Sequence, residues 1–346
     1  MRIGNRSIDE ARPAFIIAEA GVNHNGDLAM ARRLVDVAAE ARADAVKFQT
    51  FKADRVAAPS APKAAYQSLT TGAGQTQLDM IRGLELPHSA FTELSGYCSR
   101  RGILFLSTPF DLESLDFLDQ LGVPAFKIAS GELTNTPFLE CVARKGKPTI
   151  LSTGMAMLRE VEEALAVFFA AGNRELALLH CVSNYPMAPE HANLRAMKTM
   201  SDAFGVPIGF SDHSEGIEIS LAAAALGARI IEKHFTLDKT LPGPDHRASL
   251  EPGELAALVR GVRIVESSLG HGRKEPAPGE ADTASVARRS VVAAQDIAAG
   301  SVISRDMLDC LRPGTGLPPS RLSGVVGRRA KAEIKAGAMI SLEMLQ

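Results

Sequence analysis

Eight short apolar runs punctuate the first 270 residues, each closing on a polar or glycine-containing cluster. They read FIIAEAG (15–21), DAVKFQT (44–50), ILFLSTPF (103–110), AFKIASGE (125–132), TILSTGM (149–155), LALLHCVSNYP (176–186), VPIGFSDH (206–213) and ARIIEKHF (228–235). Their length and their turn-forming flanks predict buried strands, because a strand covered on both faces needs apolar side chains at nearly every position. Between them, apolar residues recur at helical spacing, as in LAMARRLVDVAAEAR (28–42), LREVEEALAVFFAAG (158–172), HANLRAMKTMSDAF (191–204), GIEISLAAAALG (216–227) and ELAALVRGVRIVESSLG (254–270). Glycine follows several of these segments, as a left-handed helix C-cap requires. Strand then helix, eight times, predicts a (β/α)8 TIM barrel over residues 1–270. A doubly wound open sheet fits less well, since no GxGxxG follows the first strand.

Two stretches break the rhythm. Residues 51–87 make a long Ala/Ser/Thr/Gly-rich connection between the second and third runs, and connections of that length are usually lids or binding loops. After Gly270, HGRKEPAPGEADTAS (271–285) is charged, proline-containing and aperiodic, which predicts a linker. Residues 286–346 alternate short apolar pieces with turns, predicting a small β-rich domain near the lower size limit for independent stability. Such a domain is expected to lean on another surface.

Composition adds exclusions. Lys and Arg number 38 against 40 Asp and Glu, mixed along the chain, for a net charge of −2. No basic field exists for nucleic acid or an anionic membrane, so an anionic substrate must be met by a few placed cations. The four cysteines are widely spaced without a CxxC pair, which argues against a disulfide framework or structural zinc and for a cytoplasmic compartment. The start lacks an apolar signal core, and no apolar run reaches membrane-spanning length.

Active sites of such barrels form at the C-terminal ends of the strands. His213 and His234 close the last two runs, so two imidazoles could share one divalent metal, with substrate and water in the open positions. Two separately hydrogen-bonded histidines fit the spacing equally. Lys47 and Lys127 lie inside apolar strands, where an unpaired ammonium is costly. They could neutralise a phosphate and a carboxylate with help from the hydroxyls of Thr108, Ser130 and Ser152. Alternatively, one is a Schiff-base lysine, or both close interior ion pairs. Glu19, Glu132 and Asp245 are carboxylates placed for proton transfer or sugar recognition, Asp245 within the proline- and glycine-fixed loop LPGPDHRASL. His180 and Cys181 read as packing residues.

The runs IAEAGVNHNG, VKFQT, STPFD, FKIASGEL, LSTGM, HCVSNYP, GFSDHS and EKHFTLDK, followed by PGPDH, together resemble the sialic acid synthase family of N-acetylneuraminate, legionaminate and pseudaminate synthases. LRPGTGLPP and VVGRRAKAEIKAGAMI resemble the antifreeze-like SAF domain that closes those enzymes. The resemblance covers nearly the whole chain in order. It implies condensation of phosphoenolpyruvate with an N-acetylated amino sugar, with Mn²⁺ or Mg²⁺ on His213 and His234. Phosphoenolpyruvate would lie against Lys47, Thr108, Lys127, Ser130, Ser152 and Ser211, and the open-chain sugar against Glu19, Tyr185 and Asp245. Arg312 would reach over the active site of a partner subunit, in a domain-swapped homodimer, to bind the N-acyl group. Glu132 is the expected base for water. One departure concerns the sugar: some N-acetylneuraminate synthases carry Asn where this chain has Ser183, with Asn184 displaced by one. N-acetylmannosamine and a 6-deoxy diacetamido hexose therefore both stay open as acceptors, while the 6-phosphate of the former is disfavoured because no extra basic cluster marks the barrel mouth. Rival readings are a Schiff-base pyruvate aldolase centred on Lys127 and a non-catalytic carbohydrate- or ice-binding protein.

Overall fold

In the first unit of the computed structural model, eight parallel strands form a ring. The structure describes every residue except 65, 66, 68–70, 72 and 73. The strands are β1 (Phe15–Gly21), β2 (Ala45–Thr50), β3 (Leu104–Pro109), β4 (Phe126–Ile128), β5 (Thr149–Ser152), β6 (Leu176–Cys181), β7 (Ile208–Asp212) and β8 (Ile230–His234). Hydrogen-bonded neighbours run β3-β2-β1-β8-β7-β6-β5-β4, and β3 lies beside β4 to complete the barrel. Each strand feeds a helix: α1 (Leu28–Glu40), α2 (His88–Arg101), α3 (Leu112–Leu121), α4 (Thr136–Arg144), α5 (Leu158–Ala170), α6 (Arg195–Phe204), α7 (Glu218–Ala225) and α8 (Pro252–Leu269). Local chemistry fixes their ends. The Asp27 carboxylate accepts from the amides of Ala29 and Met30 at the start of α1, and Gly102 and Gly122 end α2 and α3 in the left-handed conformation.

Strand alternation sorts the apolar residues into two layers. Ile16, Val46, Leu151, Leu178, Phe210 and Ile231 pack outward against the helices. Phe15, Ile17, Ala45, Leu106, Ala125, Ile150, Leu179 and Ile230 fill the barrel interior. Continuing this period of two toward the strand C-termini places one residue per strand above the apolar plug. Those eight residues are Glu19, Lys47, Thr108, Lys127, Ser152, Cys181, Ser211 and Glu232, all buried. The barrel thus carries a polar layer on a dry floor.

The chain divides into two compact units, Met1–Gly270 and His271–Gln346. Contrary to the expected aperiodic linker, the segment after Gly270 contains a helix, α9 (Glu280–Ala287). None of its side chains is buried, so it has no apolar stripe from which it could be read. The second unit pairs β9 (Ser290–Ala293) antiparallel with β10 (Leu308–Leu311) around a small core that includes Val291, Ile303, Val325 and Ile340. In the long connection, short helices span Ala53–Val56 and Gln77–Arg82, the second opened by a Thr76/Asp79 capping box. The middle of the expected lid lies outside the described residues. No described helix is long and apolar enough to cross a membrane.

Candidate active site

The polar layer is an ion-pair network. Lys47 Nζ lies 2.9 Å from Glu19 Oε2 and donates to Thr108 Oγ1 at 2.9 Å. It also lies 3.7 Å from Glu232 Oε2, whose other oxygen is 3.5 Å from Lys127 Nζ and accepts from Ser211 Oγ at 3.0 Å. Glu232 therefore bridges the two lysines. Glu232 stands at a strand end in the sequence without an assigned role, although strict alternation from Ile230 turns it inward.

Burial sets the protonation behaviour here. Desolvation, aided by the neighbouring Glu232 charge, pushes the Glu19 carboxyl up to about 7 against the pull of Lys47. For Glu232, burial acts upward too, but the Lys127 and Lys47 ammonium groups outweigh it and hold the carboxyl below its ordinary value. Lys127 is shifted down by burial, whereas the carboxylates around Lys47 overcome its burial and shift it up.

His213 and His234 project from the ends of neighbouring β7 and β8, ring centroids 5.5 Å apart. His213 Nδ1 lies 2.7 Å from the Val182 carbonyl oxygen. A carbonyl only accepts, so Nδ1 carries the proton and Nε2 presents a lone pair. Burial lowers His213 to about 4 and His234 well below its ordinary value, so both rings are neutral, the form that binds metals. Among the described residues the His234 Nδ1 atom is buried without a hydrogen-bond partner. These donors suit a divalent cation, yet no group of three or more His, Cys, Asp or Glu among the described residues could enclose one. Substrate and water would have to supply the remaining ligands. Tyr185 packs on His213 with centroids 4.1 Å apart and sets its edge toward His234.

A cavity of about 420 Å³ opens above this layer, lined also by Ser130, Ser152, Ser183 and Tyr185. Ser130 Oγ accepts from the Gly154 amide at 2.9 Å and lies 3.1 Å from Cys181 Sγ. A side chain on Gly154 would put Cβ 2.4 Å from Ser183 Oγ and 2.8 Å from Ser130 Oγ, so only glycine admits this packing. Ser152 Oγ is buried and has no hydrogen-bond partner among the described residues. A second cavity of about 250 Å³ shares Gln49, Phe110, Tyr185 and His234 with the first and adds Asp245. Its other walls are mainly apolar, including Val22, Phe51, Val56, Met80 and Leu84. Burial alone raises the Asp245 carboxyl to about 6. Gln67 and Gln77, which line both cavities, come from the long connection and carried no motif that would have marked them.

Not every expected residue joins the site. Glu132 does not line the cavity; its carboxylate accepts from Asn135 Nδ2 at 2.6 Å, beside the N-terminus of α4. The base role expected of it has no geometric support, because a residue in the turn after β4 has left the inward alternation. Cys181, expected to be packing, faces the cavity, while His180 points to the Ala192 carbonyl at 2.9 Å on the outer side. Arg312 lies exposed in the C-terminal unit just past β10. Lys233, next to His234, faces away from the cavity and forms a 3.1 Å ion pair with Asp212 behind the sheet.

Comparison with known proteins places this geometry in a lineage. Residues 34–274 match the NeuB family, and residues 288–346 match the SAF domain. An N,N'-diacetyllegionaminic acid synthase of Legionella pneumophila is 46% identical over 352 residues, covering 99% of each chain. The protein of that name from Campylobacter jejuni is 47% identical over 331 residues, covering 95% of this chain and 99% of that one. Among solved structures, the N-acetylneuraminic acid (sialic acid) synthetase of Leptospira borgpetersenii, in complex with citrate, is 41% identical. It superposes with a TM-score of 0.72 over 82% of this chain and 94% of that one.

Proposed function

The chain belongs to the NeuB family, and from that premise we propose that it condenses phosphoenolpyruvate with a neutral N-acetylated amino sugar to give a nine-carbon sialic acid and phosphate. It is an enzyme, a carbon–carbon bond-forming synthase of the sialic acid type. The observation that carries the reading is the polar layer: two buried lysines and a row of hydroxyls beside two neutral histidines at one barrel mouth. Lys47 and Lys127 would hold the phosphate and carboxylate of phosphoenolpyruvate, with Thr108, Ser130, Ser152 and Ser211 as hydroxyl partners and Ser183 at the wall. The unpartnered Ser152 hydroxyl supports an anion there, since a buried polar atom is costly until it is paired.

His213 and His234 would hold a divalent cation, Mn²⁺ or Mg²⁺. When bound, that cation supplies Lewis acidity toward the sugar aldehyde. In the reaction, C3 of phosphoenolpyruvate bonds to the aldehyde carbon, whose oxygen takes up a proton. Water adds at C2 and loses one proton, and the C2–O bond to phosphate then breaks as the new C2 hydroxyl gives its remaining proton to the departing phosphate, leaving the 2-keto acid. Glu19, raised to about 7 and lining the cavity, suits proton transfer near neutrality better than Glu132. Holding both substrates in one cavity removes an entropic penalty of roughly 7–11 kcal/mol in favourable cases.

The second cavity supports the choice of acceptor. Among the described residues no lysine or arginine lines it, and its apolar wall suits a methyl or acetamido group better than a 6-phosphate. With the diacetyllegionaminic acid synthases as relatives, a 6-deoxy diacetamido hexose is the preferred acceptor, ahead of N-acetylmannosamine. Arg312 would complete the sugar site from a partner subunit in a domain-swapped homodimer. The absence of any CxxC pair fits a cytoplasmic enzyme.

Phosphate release from phosphoenolpyruvate, with each acceptor, with Mn²⁺ and with EDTA, tests the reading. Sugar-dependent release abolished by EDTA is expected, fastest with the diacetamido sugar. Sugar-independent borohydride trapping of pyruvate on Lys127 would instead favour the aldolase.

A further inference from the structure

Asp245 is buried, yet its carboxylate has no hydrogen-bond partner among the described residues. What is held is its backbone. Its carbonyl accepts from Ser249 Oγ at 2.7 Å and from the Ala248 amide at 3.2 Å. The next side chain, His246, is buried and points away from the cavity into the base of the loop. Its Nδ1 lies 2.7 Å from Thr236 Oγ1, just past β8, and its Nε2 lies 3.2 Å from Asn25 Oδ1, in the loop after β1.

The amide of Asn25 is itself oriented, because Nδ2 donates to the Pro242 carbonyl at 2.9 Å. Its oxygen can only accept, so His246 Nε2 carries the proton and Nδ1 accepts from the Thr236 hydroxyl. Burial lowers the imidazole to about 4, which keeps this neutral tautomer at pH 7. Asn25 adopts φ 51°, a left-handed conformation that asparagine tolerates better than most residues. Gly243 is needed on the other side: a Cβ there would lie 2.6 Å from His246 Cδ2 and 3.0 Å from Asn25 Oδ1. Asn23 adds a second tie, donating to the Phe235 carbonyl and to Ser249 Oγ. Three separate stretches of chain are thus closed on one imidazole, immediately next to Asp245.

We propose that His246, clamped between Asn25 and Thr236, is a positioning residue for the acceptor sugar: it locks the loop of residues 242–249 so that Asp245 faces the cavity beside His234. The proposal rests on the reading of Asp245 as a sugar-binding carboxylate. It does not touch the phosphoenolpyruvate half of the site, so the two substrates are affected unequally. Loosening the clamp shifts the loop that carries this carboxylate, whose own oxygens have no hydrogen-bond partner among the described residues to hold them in place. Displacements of this kind cost about tenfold or more in a positioned interaction.

The test is a kinetic cycle on the full-length enzyme with the best acceptor. Thr236→Val keeps the buried volume but removes the hydroxyl donor, and His246→Gln keeps a donor toward Asn25. Each is made alone and in an Asp245→Asn background, and the KM for sugar and for phosphoenolpyruvate is measured. The expected result is a sugar KM raised about tenfold by Thr236→Val, and less by His246→Gln, with the phosphoenolpyruvate KM within twofold. In the Asp245→Asn background the clamp substitutions should add almost nothing, because their effect runs through the missing carboxylate. If Asp245→Asn raises the sugar KM but the clamp variants do not, the clamp idea is overturned and the sugar reading stands. If Asp245→Asn itself leaves the sugar KM unchanged, the reading of Asp245 falls first. A clamp effect that persists undiminished beside Asp245→Asn, or that raises both KM values alike, would mean a general structural role and sink the proposal.

Discussion

Two buried lysine networks lie on opposite sides of the same strands, and they are finished to different degrees. Behind the sheet, Lys233 and Asp212 pair at 3.1 Å with both side chains wholly inaccessible. Asp212 Oδ1 accepts from the Ser214 amide and hydroxyl, its Oδ2 accepts from Ser220 Oγ, and Lys233 also donates to the Ser214 carbonyl. Every oxygen of that carboxylate is satisfied. Inside the barrel, Lys47 and Lys127 share Glu232, but among the described residues Ser152 Oγ and His234 Nδ1 have no hydrogen-bond partner, and Glu19 Oε2 and Glu232 Oε2 have ionic contacts without an aligned hydrogen bond. The outer network is complete without a ligand, whereas the inner one has donors and acceptors to spare. On the proposed reading, that difference separates a charge kept for architecture from charges kept for substrate. The outer pair also joins residues adjacent in sequence to both histidines, since Lys233 and Asp212 are in register between β8 and β7.

The comparison breaks most readily at Lys233. Lys233→Met leaves the Asp212 carboxylate buried without its cation and should cost about 3–5 kcal/mol of stability. Urea melts would measure it, and a loss under 1 kcal/mol would erase the distinction drawn above. Next in size, Lys127→Met should raise the phosphoenolpyruvate KM by roughly a hundredfold, from losing about 1.5–3 kcal/mol of charged hydrogen bonding. Its melting midpoint should barely move, because Glu232 keeps Lys47 and Ser211. A large stability loss there would make the inner network architectural as well.

Asp245 gives a smaller, pH-resolved effect. Its carboxyl, lifted by burial from 3.8 to about 6, takes up its proton earlier than usual as pH falls. If the ionised form grips the sugar, kcat/KM for sugar should drop about tenfold per unit below that value, and Asp245→Asn should flatten the acid limb. The smallest effect belongs to Glu132→Gln, expected to change turnover less than about twofold, since that carboxylate contacts Asn135 rather than the cavity. A hundredfold loss would restore it as the base.

Much of this was legible in the chain. FIIAEAG reads as a strand because it is a short apolar run with turn-forming flanks, and the structure places it at Phe15–Gly21 with all seven positions buried. The helix after Gly279 was not legible, because a helix with no buried side chain leaves no apolar period. At the site, Lys47 and Lys127 were conspicuous as charges within apolar runs. Glu232 was harder to weigh, since EKH presents three polar residues in a row and only the side each one faces assigns their roles.

The sequence by itself determined the barrel, the second unit's β-rich character and the motifs that mark the site, because periodicity and turn chemistry are local. Only the tertiary structure decided that Glu232 faces Lys47 and Lys127 while Lys233 turns to Asp212, that Glu132 leaves the cavity, and that Asn25, Thr236 and His246 meet. Those outcomes depend on which strands become neighbours and in what register, and a one-residue difference in register exchanges the inner face for the outer one.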